Sequence, residues 1–248
     1  MTFPKHDIVY KLGEGSKHNN LELRYSLRSL VNYPFTGQVY VVGYKPEWIK
    51  NVIHIPAQDP YTYRKDANLI QKLLLVCYQK NLTEYFLNIS DDQIFLRPSD
   101  NELRHPFNDD ISVASFINIQ SNRWQVRLLH TFERLREKSL PTHNYEAHVP
   151  CLLNKTLFPQ ILLRYDWGEG KGMCGNTLYF NTLDIEKEKP SQSARENAAK
   201  IFSPVLEGET VERICFNKDY LCFNDRSFNK DLILYLDQKF PEKSIYEK

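Results

Sequence analysis

Two adjacent carboxylates, Asp91 and Asp92, are the residues in this sequence best suited to chemistry. They follow Tyr85-Phe-Leu-Asn-Ile89, which is typical of a buried strand, and Ile94-Phe-Leu96 resumes the apolar pattern after them. Carboxylate oxygens at a strand end are ligands of the kind that Mg²⁺ or Mn²⁺ prefers. A divalent ion held there would neutralise a diphosphate during group transfer. The alternative is a solvated turn in which the aspartates make only local hydrogen bonds.

Two groups of basic and amide side chains could bind the phosphates of such a substrate. Arg24 and Arg28 lie one helical turn apart and outside the apolar stripe of their helix, so they could point at phosphates. The second group stands at the start of an apolar helix, where an anion is favoured. Its members are Arg64, Lys65, Asn68 and Lys72. For both groups the competing interpretation is a solvated surface.

A third polar cluster consists of His143, Glu146 and His148, shortly before Pro150. A histidine beside a carboxylate is suited to act as a general base or to contact a phosphate. One of the two histidines is interpreted as structural. A metal site at this spacing is disfavoured, because no third ligand of the right type stands nearby.

Alternating strands and helices must position these residues. The apolar pattern predicts strands at 7–10, 39–42, 52–55 and 85–89, with helices at about 20–32 and 69–78. Asn19 and Glu22 have the spacing of a capping box for the first helix. This alternation predicts an α/β domain with a mostly parallel sheet flanked by helices. Ligands of such sheets bind at the carboxyl ends of strands, where Asp91 stands.

The pattern after the acid pair is less regular. Residues 110–119 and 213–216 are strand-like, whereas four of the nine glycines fall within 168–175 and predict a flexible loop there. The polar residues 186–197 predict a mobile surface segment. Two further helices are predicted from apolar residues at helical spacing, namely Trp124, Leu128, Phe132 and Leu135, and then Leu232, Ile233, Leu236 and Phe240.

Composition argues against several classes of protein. The 32 basic and 31 acidic residues leave a net charge of +1, which disfavours a protein whose main task is to grip a nucleic-acid backbone. No apolar stretch approaches the roughly 20 residues that span a bilayer, and the first residues lack a secretory signal pattern. The five cysteines show no metal-like spacing and are interpreted as free thiols. We therefore expect a cytoplasmic protein.

Several segments of the chain resemble the Stealth family. The similar segments are Asn20-Leu-Glu-Leu-Arg-Tyr-Ser-Leu-Arg-Ser-Leu30, Val39-Tyr-Val-Val-Gly-Tyr-Lys-Pro-Glu-Trp48, Tyr85-Phe-Leu-Asn-Ile-Ser-Asp-Asp-Gln-Ile-Phe-Leu96, His148-Val-Pro150 with Lys155, and Leu221-Cys-Phe-Asn-Asp225 continuing to Phe240-Pro-Glu-Lys-Ser-Ile-Tyr-Glu247. Short proteins of this pattern also resemble glycosyltransferases encoded by bacteriophages.

The resemblance implies a GT-A-like nucleotide-sugar-binding fold and transfer of a sugar-1-phosphate from a nucleotide-sugar. It matches five residues to the family's active-site motifs: Asp91, Asp92, His148, Asn224 and Asp225. The chain departs from the family in two places. Its opening lacks the tryptophan-containing motif, and Gly172-Met-Cys-Gly-Asn176 stands where an arginine motif is expected. The second departure disfavours phosphoryl transfer, since that arginine would hold the migrating phosphate.

The predicted architecture is a GT-A-like core over 1–185 and a C-terminal extension over 186–248. The extension is expected to pack on the core and to contribute Asn224 and Asp225 to the site. The predicted function is that of a glycosyltransferase which moves a hexose from a nucleotide-sugar, expected to be a UDP-sugar, to a hydroxyl acceptor with the help of Mg²⁺ or Mn²⁺. The acceptor could be a glycan, a protein or modified DNA.

Each candidate residue has a predicted role in this reaction. The catalytic set is Asp92, Glu146, His148 and Asp225, and the metal ligands are Asp91 and Asp92. The donor-binding set is Arg24, Arg28, Lys65, Asn68, Lys72, Asp91 and Asn224. Two alternatives stay open: sugar-1-phosphate transfer with release of a nucleoside monophosphate, and a module that binds a sugar or a partner without turnover.

Overall fold

The computed structural model describes residues 5–99, 105–110, 123–183, 193–205 and 208–248. Its strands, in chain order, are β1 (His6–Leu12), β2 (Thr36–Gly43), β3 (Ile53–Ile55), β4 (Tyr85–Ile89), β5 (Gln93–Phe95), β6 (Asp109–Asp110), β7 (His143–Asn144), β8 (Cys151–Asn154), β9 (Ala198–Ile201) and β10 (Tyr220–Phe223). The central sheet has the order β3-β2-β1-β4-β8, in which only β8 runs antiparallel to its neighbour. The predicted α/β fold with a mostly parallel sheet is confirmed.

Helices flank this sheet and a second sheet, which is described below. In chain order they are α1 (Leu21–Ser29), α2 (Lys65–Cys77), α3 (Arg123–Glu137), α4 (Leu157–Leu162), α5 (Gly175–Leu183), α6 (Val211–Cys215) and α7 (Lys230–Lys239). The predicted helices at 20–32, 69–78, around Leu128 and around Leu236 are confirmed, although α2 begins at Lys65, earlier than predicted. No helix in the described ranges is long and apolar enough to cross a membrane.

Strand β1 lies at the centre of the sheet and is buried along its whole length. Its side chains alternate between two apolar clusters: Val9 packs with α2, whereas Ile8 and Tyr10 pack on the side of α1. A strand covered on both faces needs apolar residues on both, which explains the continuous apolar runs in β1 and β2. Lys11, near the end of β1, is charged, so core packing does not explain its presence in this strand.

A second sheet joins the C-terminal part of the chain to the core. Strand β10 pairs antiparallel with β5 and parallel with β9. Because β5 begins directly after the acid pair, this pairing brings the turn after β10 to the carboxyl end of β4. The predicted boundary between 185 and 186 lies outside the described residues.

Three local predictions are corrected or limited by the structure. Residues 213–216, predicted to be strand-like, belong largely to helix α6, which Thr210 caps by accepting a hydrogen bond from the Arg213 backbone N–H. The predicted capping box is wrong, because Asn20 is the N-cap residue and its side chain makes no capping hydrogen bond. The predicted segments 110–119 and 186–197 lie mostly outside the described residues.

The glycine-rich segment 168–175, predicted to be flexible, is tied to neighbouring elements. The Arg64 side chain donates to the Gly168 carbonyl, the Nδ1 of His130 lies 2.9 Å from the Gly172 carbonyl oxygen, and the Thr131 hydroxyl accepts from the Cys174 N–H. All five cysteines are free and buried, in agreement with the prediction of free thiols.

The C-terminal tail is fastened to α1 by one buried carboxylate. Glu247, whose side chain is 0% exposed, accepts two hydrogen bonds of 2.9 Å from the Arg28 guanidinium. Arg24 lies 3.7 Å from the same carboxylate and stacks over Trp48 at 4.4 Å from the ring centroid. The Lys248 N–H donates to the Trp48 carbonyl, so the tail also pairs with the segment after β2.

We expect Arg28→Ala to lower the free energy of unfolding by about 3 kcal/mol, because it leaves a buried carboxylate without its main partner. The matched control is Arg134→Ala, which removes an exposed ion pair with Glu137 and should leave the free energy of unfolding almost unchanged. Urea unfolding measures both. Equal stability of the two variants would contradict the role of the Arg28–Glu247 pair in fastening the tail to α1. Adding Glu247→Gln to the Arg28→Ala variant should recover part of the lost stability.

Candidate active site

A cleft with two lobes opens at the carboxyl ends of β1 and β4. The first lobe has a volume of about 350 Å³ and the second about 770 Å³. The residues that line both lobes, and so form the junction between them, are Lys11, Lys65, Leu69, Ser90, Asp92, His148, Phe223 and Asn224. This is the edge of the sheet at which the sequence predicts the chemistry. Most of the predicted site residues meet here.

Asp91 and Asp92 occupy a tight turn after β4. The turn is held by Gln93, whose backbone N–H donates to the Ser90 carbonyl and whose side-chain oxygen accepts from the Ser90 N–H at 3.0 Å. Burial, and then the charges of Asp92 and Glu22, raise the pKa of Asp91 to about 7. The acid pair is therefore an electrostatically strained site that favours added positive charge.

His148 lies beside this pair, with its Nε2 3.2 Å from Oδ2 of Asp92. Burial alone would raise the pKa of Asp92, but the neighbouring His148 lowers it overall. For His148 burial lowers the pKa, and the contact with Asp92 outweighs it and raises the pKa. The His148 backbone has a φ of 56°, in the left-handed region, and its carbonyl accepts from the Cys222 thiol. Such strain persists only where the surroundings hold the residue, and here it aims the imidazole at the junction.

Two carboxylate oxygens at this site have no hydrogen-bond partner in the described part of the chain. They are Oδ1 of Asp92 and Oε2 of Glu22, both buried. Unpartnered carboxylate oxygens beside Asp91 fit a hard divalent cation such as Mg²⁺ or Mn²⁺. No group of three or more His, Cys, Asp or Glu side chains in the described ranges has the arrangement of a complete metal site. Mg²⁺ commonly binds through one or two carboxylates together with substrate phosphates, so the acid pair still fits the ion.

Glu146 faces the second lobe and contacts the first turn of α5. Its Oε1 accepts hydrogen bonds from the Thr177 backbone N–H at 3.0 Å and from the Thr177 hydroxyl at 3.1 Å. Burial, followed by the charge of Asp66, raises the pKa of Glu146 to about 7. A carboxylate with a pKa near neutrality can gain and lose a proton under ordinary conditions, which is what a general base requires.

The predicted basic cluster at the start of α2 divides into structural and available groups. Lys72 donates to the Leu12 carbonyl at 2.7 Å and lies 2.6 Å from Asp59, while the Asn68 side chain bonds both backbone groups of Tyr61. These two side chains line the first lobe but are held by the protein. Lys65 lines both lobes and has no ion-pair partner among the described residues.

Arg24 and Arg28, predicted to bind the donor, do not line either lobe. Both lie against Glu247, and the Arg28 guanidinium donates to Glu247 and to the Phe240 carbonyl. The pattern placed them off the apolar stripe correctly, yet the partner that they meet is the side-chain carboxylate of Glu247. Neither arginine therefore belongs to the lining of the cleft.

Asn224 and Asp225 reach the cleft from the turn between β10 and α7. The Asn224 side chain donates to the Phe202 carbonyl and accepts from the Arg226 and Ser227 backbone N–H groups, which fixes the turn. Asn224 lines both lobes, and Asp225 is exposed at the rim of the first.

Sequence reasoning missed Lys11 and misread Glu22. The Lys11 ammonium donates to the Ile89 carbonyl at 2.9 Å and to the Asn88 side chain, and so joins the ends of β1 and β4. Burial lowers the pKa of Lys11 to about 8. A lysine within a wholly buried strand was the available signal. Glu22 matched a capping pattern, which concealed that its carboxylate lines the cleft.

Comparisons with known proteins give a likeness of fold and no family. No family model matches the chain, and no curated protein matches it. Among solved structures, the chain is similar to a galactosyltransferase, LgtC, in complex with donor and acceptor sugar analogs, at 12% identity, a TM-score of 0.48 and 98% coverage of both chains.

Two further solved structures are similar at the same low level. An active-site mutant of LgtC shows 11% identity and a TM-score of 0.48, covering 96% of this chain and 98% of that one. Mouse xyloside xylosyltransferase 1, in its apo form, shows 10% identity and a TM-score of 0.41, covering 90% of this chain and 99% of that one. These values are too low to carry a function to this chain, so the cleft's own residues must support it.

We expect Glu146→Gln to gain stability relative to the parent as the pH rises from about 4.5 to 7. A folded-state pKa raised from 4.5 to about 7 means that the parent loses stability over this window, while glutamine has no proton to lose. The difference should grow by up to about 3 kcal/mol and then level off. Urea unfolding at pH 5 and pH 8 measures it, with exposed Glu169→Gln as the matched control. A difference that does not change with pH would reject this environment for Glu146.

Proposed function

We propose that this protein is a nucleotide-sugar-dependent glycosyltransferase that moves a hexose to a hydroxyl acceptor with the assistance of Mg²⁺ or Mn²⁺. One observation supports the proposal. The two lobes of the cleft meet at a junction that contains the Asp91–Asp92 turn and the Asp92–His148 contact. Two lobes with the reactive groups between them suit a reaction in which two substrates meet.

The first lobe is proposed to hold the nucleotide-sugar donor, with a UDP-sugar as the expected form. Asp91 and Asp92 would bind the ion, which neutralises the negative charge that develops on the diphosphate leaving group. Lys65, free of an ion-pair partner in the described ranges, is the cation available to the same phosphates. Asn68 and Lys72 shape the wall of this lobe through their own hydrogen bonds, and Asn224 closes the junction.

The second lobe is proposed to hold the acceptor, a hydroxyl on a glycan, a protein or modified DNA. Transfer forms a bond from the acceptor oxygen to the anomeric carbon and breaks the bond from that carbon to the diphosphate. The acceptor proton has two candidate destinations, His148 at the junction and Glu146 within the lobe. Asp92 would orient His148, and Asp225, at the rim of the first lobe, would contact the donor.

Sugar-1-phosphate transfer, which the resemblance to the Stealth family implies, is the second candidate. It is favoured by Lys65, since a cation at the junction could hold a migrating phosphate. It is disfavoured by the absence of the family's arginine motif at 172–176. A module that binds sugar without turnover is the third candidate, and the acid pair with its unpartnered oxygen argues against it.

We expect Asp91→Asn and Asp92→Asn each to abolish turnover without unfolding the protein, because both remove charge that the ion requires from a turn at the cleft. Asp91→Asn should unfold at the same or a higher urea concentration than the parent, since it relieves a carboxylate whose pKa burial has raised. Exposed Asp166→Asn is the matched control. Full activity of either cleft variant, or activity of the parent in excess chelator, would reject the metal assignment.

We expect the first nucleotide product to be a nucleoside diphosphate. Glycosyl transfer cleaves between the anomeric carbon and the phosphate oxygen, whereas sugar-1-phosphate transfer cleaves the diphosphate linkage. Phosphorus NMR of reactions with a panel of nucleotide-sugars distinguishes the two. Release of a monophosphate would establish the second candidate, and no turnover of any donor under metal-replete conditions would favour the binding module.

A further inference from the structure

The second lobe carries two cations that the proposed reaction does not use. Arg195 lies in the short 3₁₀ helix at 194–197, and Lys200 lies in β9, which follows it directly. Both line the second lobe and neither lines the first. Over the described part of the chain, neither side chain has an ion-pair or hydrogen-bond partner.

Apart from Lys65, which lines both lobes and is proposed to bind the donor phosphates, the other charged groups of this lobe are already engaged. Asp66 pairs with Arg127, Asp92 contacts His148, and Lys11 is held by the end of β4. Glu146 is held by Thr177, and burial raises its pKa to about 7, which removes much of its negative charge near neutrality. Arg195 and Lys200 are therefore left as uncompensated positive charge.

The surroundings of Lys200 locate this charge next to the reactive junction. Burial lowers the pKa of Lys200, and the nearby Arg195 lowers it further, while the carboxylate of Asp109 acts in the opposite direction. Asp109 is itself bonded to the Asn144 amide at 2.8 Å. His148 and Lys200 line the same lobe, and the ring of Phe202, two residues after Lys200, lies 6.1 Å from the His148 ring between centroids. An anion bound between the two cations would thus lie close to the imidazole.

The same lobe offers contacts suited to a sugar. Oδ1 of Asn108 is buried and has no hydrogen-bond partner in the described ranges, so it can accept from a hydroxyl. Trp124 and Phe202 also line the lobe, and Phe202 is 43% exposed. Aromatic faces and a buried amide oxygen, together with a cationic pair, describe a ligand that is both a carbohydrate and an anion.

We infer that the second lobe selects an acceptor that carries a phosphate or carboxylate group, which Arg195 and Lys200 bind while the neighbouring hydroxyl faces His148 and Glu146. That the bound molecule is an acceptor substrate rests on the proposed function, whereas the existence of the anion site does not. The chemistry of the pair suits either anion, because a guanidinium binds phosphate and carboxylate alike in a bidentate way and an ammonium adds a point charge.

The anion site is tested first without catalysis, by titrating inorganic phosphate into the metal-free protein and following binding by calorimetry. We expect Arg195→Gln with Lys200→Gln to weaken phosphate binding roughly tenfold or more, since two charge-assisted contacts are lost. The matched control removes two exposed lysines of α7, as Lys230→Gln with Lys239→Gln, and should bind as the parent does. Equal phosphate binding by both double variants would overturn the site.

The acceptor role is tested with three acceptors that differ only in one substituent: a neutral glycoside, its phosphate ester and the corresponding uronide. The parent should show the lowest KM with an anionic acceptor, and the better of the phosphate and the uronide identifies the source of the charge. The Arg195→Gln, Lys200→Gln variant should raise that KM roughly tenfold or more. The KM of the neutral acceptor and the acceptor-independent hydrolysis of the donor should stay unchanged.

Two other results have distinct meanings. A raised KM for the donor in the double variant would overturn the acceptor assignment, since the cations would then hold the migrating phosphate of the donor. If no nucleotide-sugar is turned over by the parent, the proposed function fails, whereas the phosphate titration still decides whether the anion site exists.

Discussion

Repulsion among three carboxylates at the carboxyl end of β4 is the constraint on which the cleft depends. Asp91, Asp92 and Glu22 converge there, and two of their oxygens have no hydrogen-bond partner in the described chain. Such a cluster is tolerated only where positive charge is near or is supplied. The protein supplies part of it through Lys11, and His148 adds a contact to Asp92. The remainder fits a divalent ion that arrives with a diphosphate.

The fold can be understood as the support for this charge cluster. Lys11 can join the ends of β1 and β4 only because these strands are parallel neighbours that end together. His148 holds a left-handed backbone because its carbonyl is fastened to Cys222 of β10. Strand β10 in turn pairs with β5, which leaves the acid turn directly. The second sheet thus helps to fix the positions of both the Asp92 carboxylate and the His148 imidazole.

The two lobes differ in the sign of their free charge, which suits two different substrates. Carboxylates outnumber lysines in the lining of the first lobe, where a cation and a diphosphate would compensate each other. The second lobe has Arg195 and Lys200 without partners in the described ranges, and its carboxylates are paired or have a raised pKa. Complementary charge steers and orients substrates more than it adds affinity. The opposite charges of the two lobes would therefore direct each substrate to its own lobe.

The sequence by itself determined the elements and the acid pair, because both are local: apolar periodicity specifies β1, α2 and β4, and Asp91 follows a strand end whatever that strand pairs with. Only the tertiary structure decided the partners. Arg28 meets Glu247 across most of the chain, and Glu22, with the spacing of a cap, turns to the cleft instead. Pairing between residues far apart in sequence depends on strand order and on the second sheet, and short-range patterns carry no information about either.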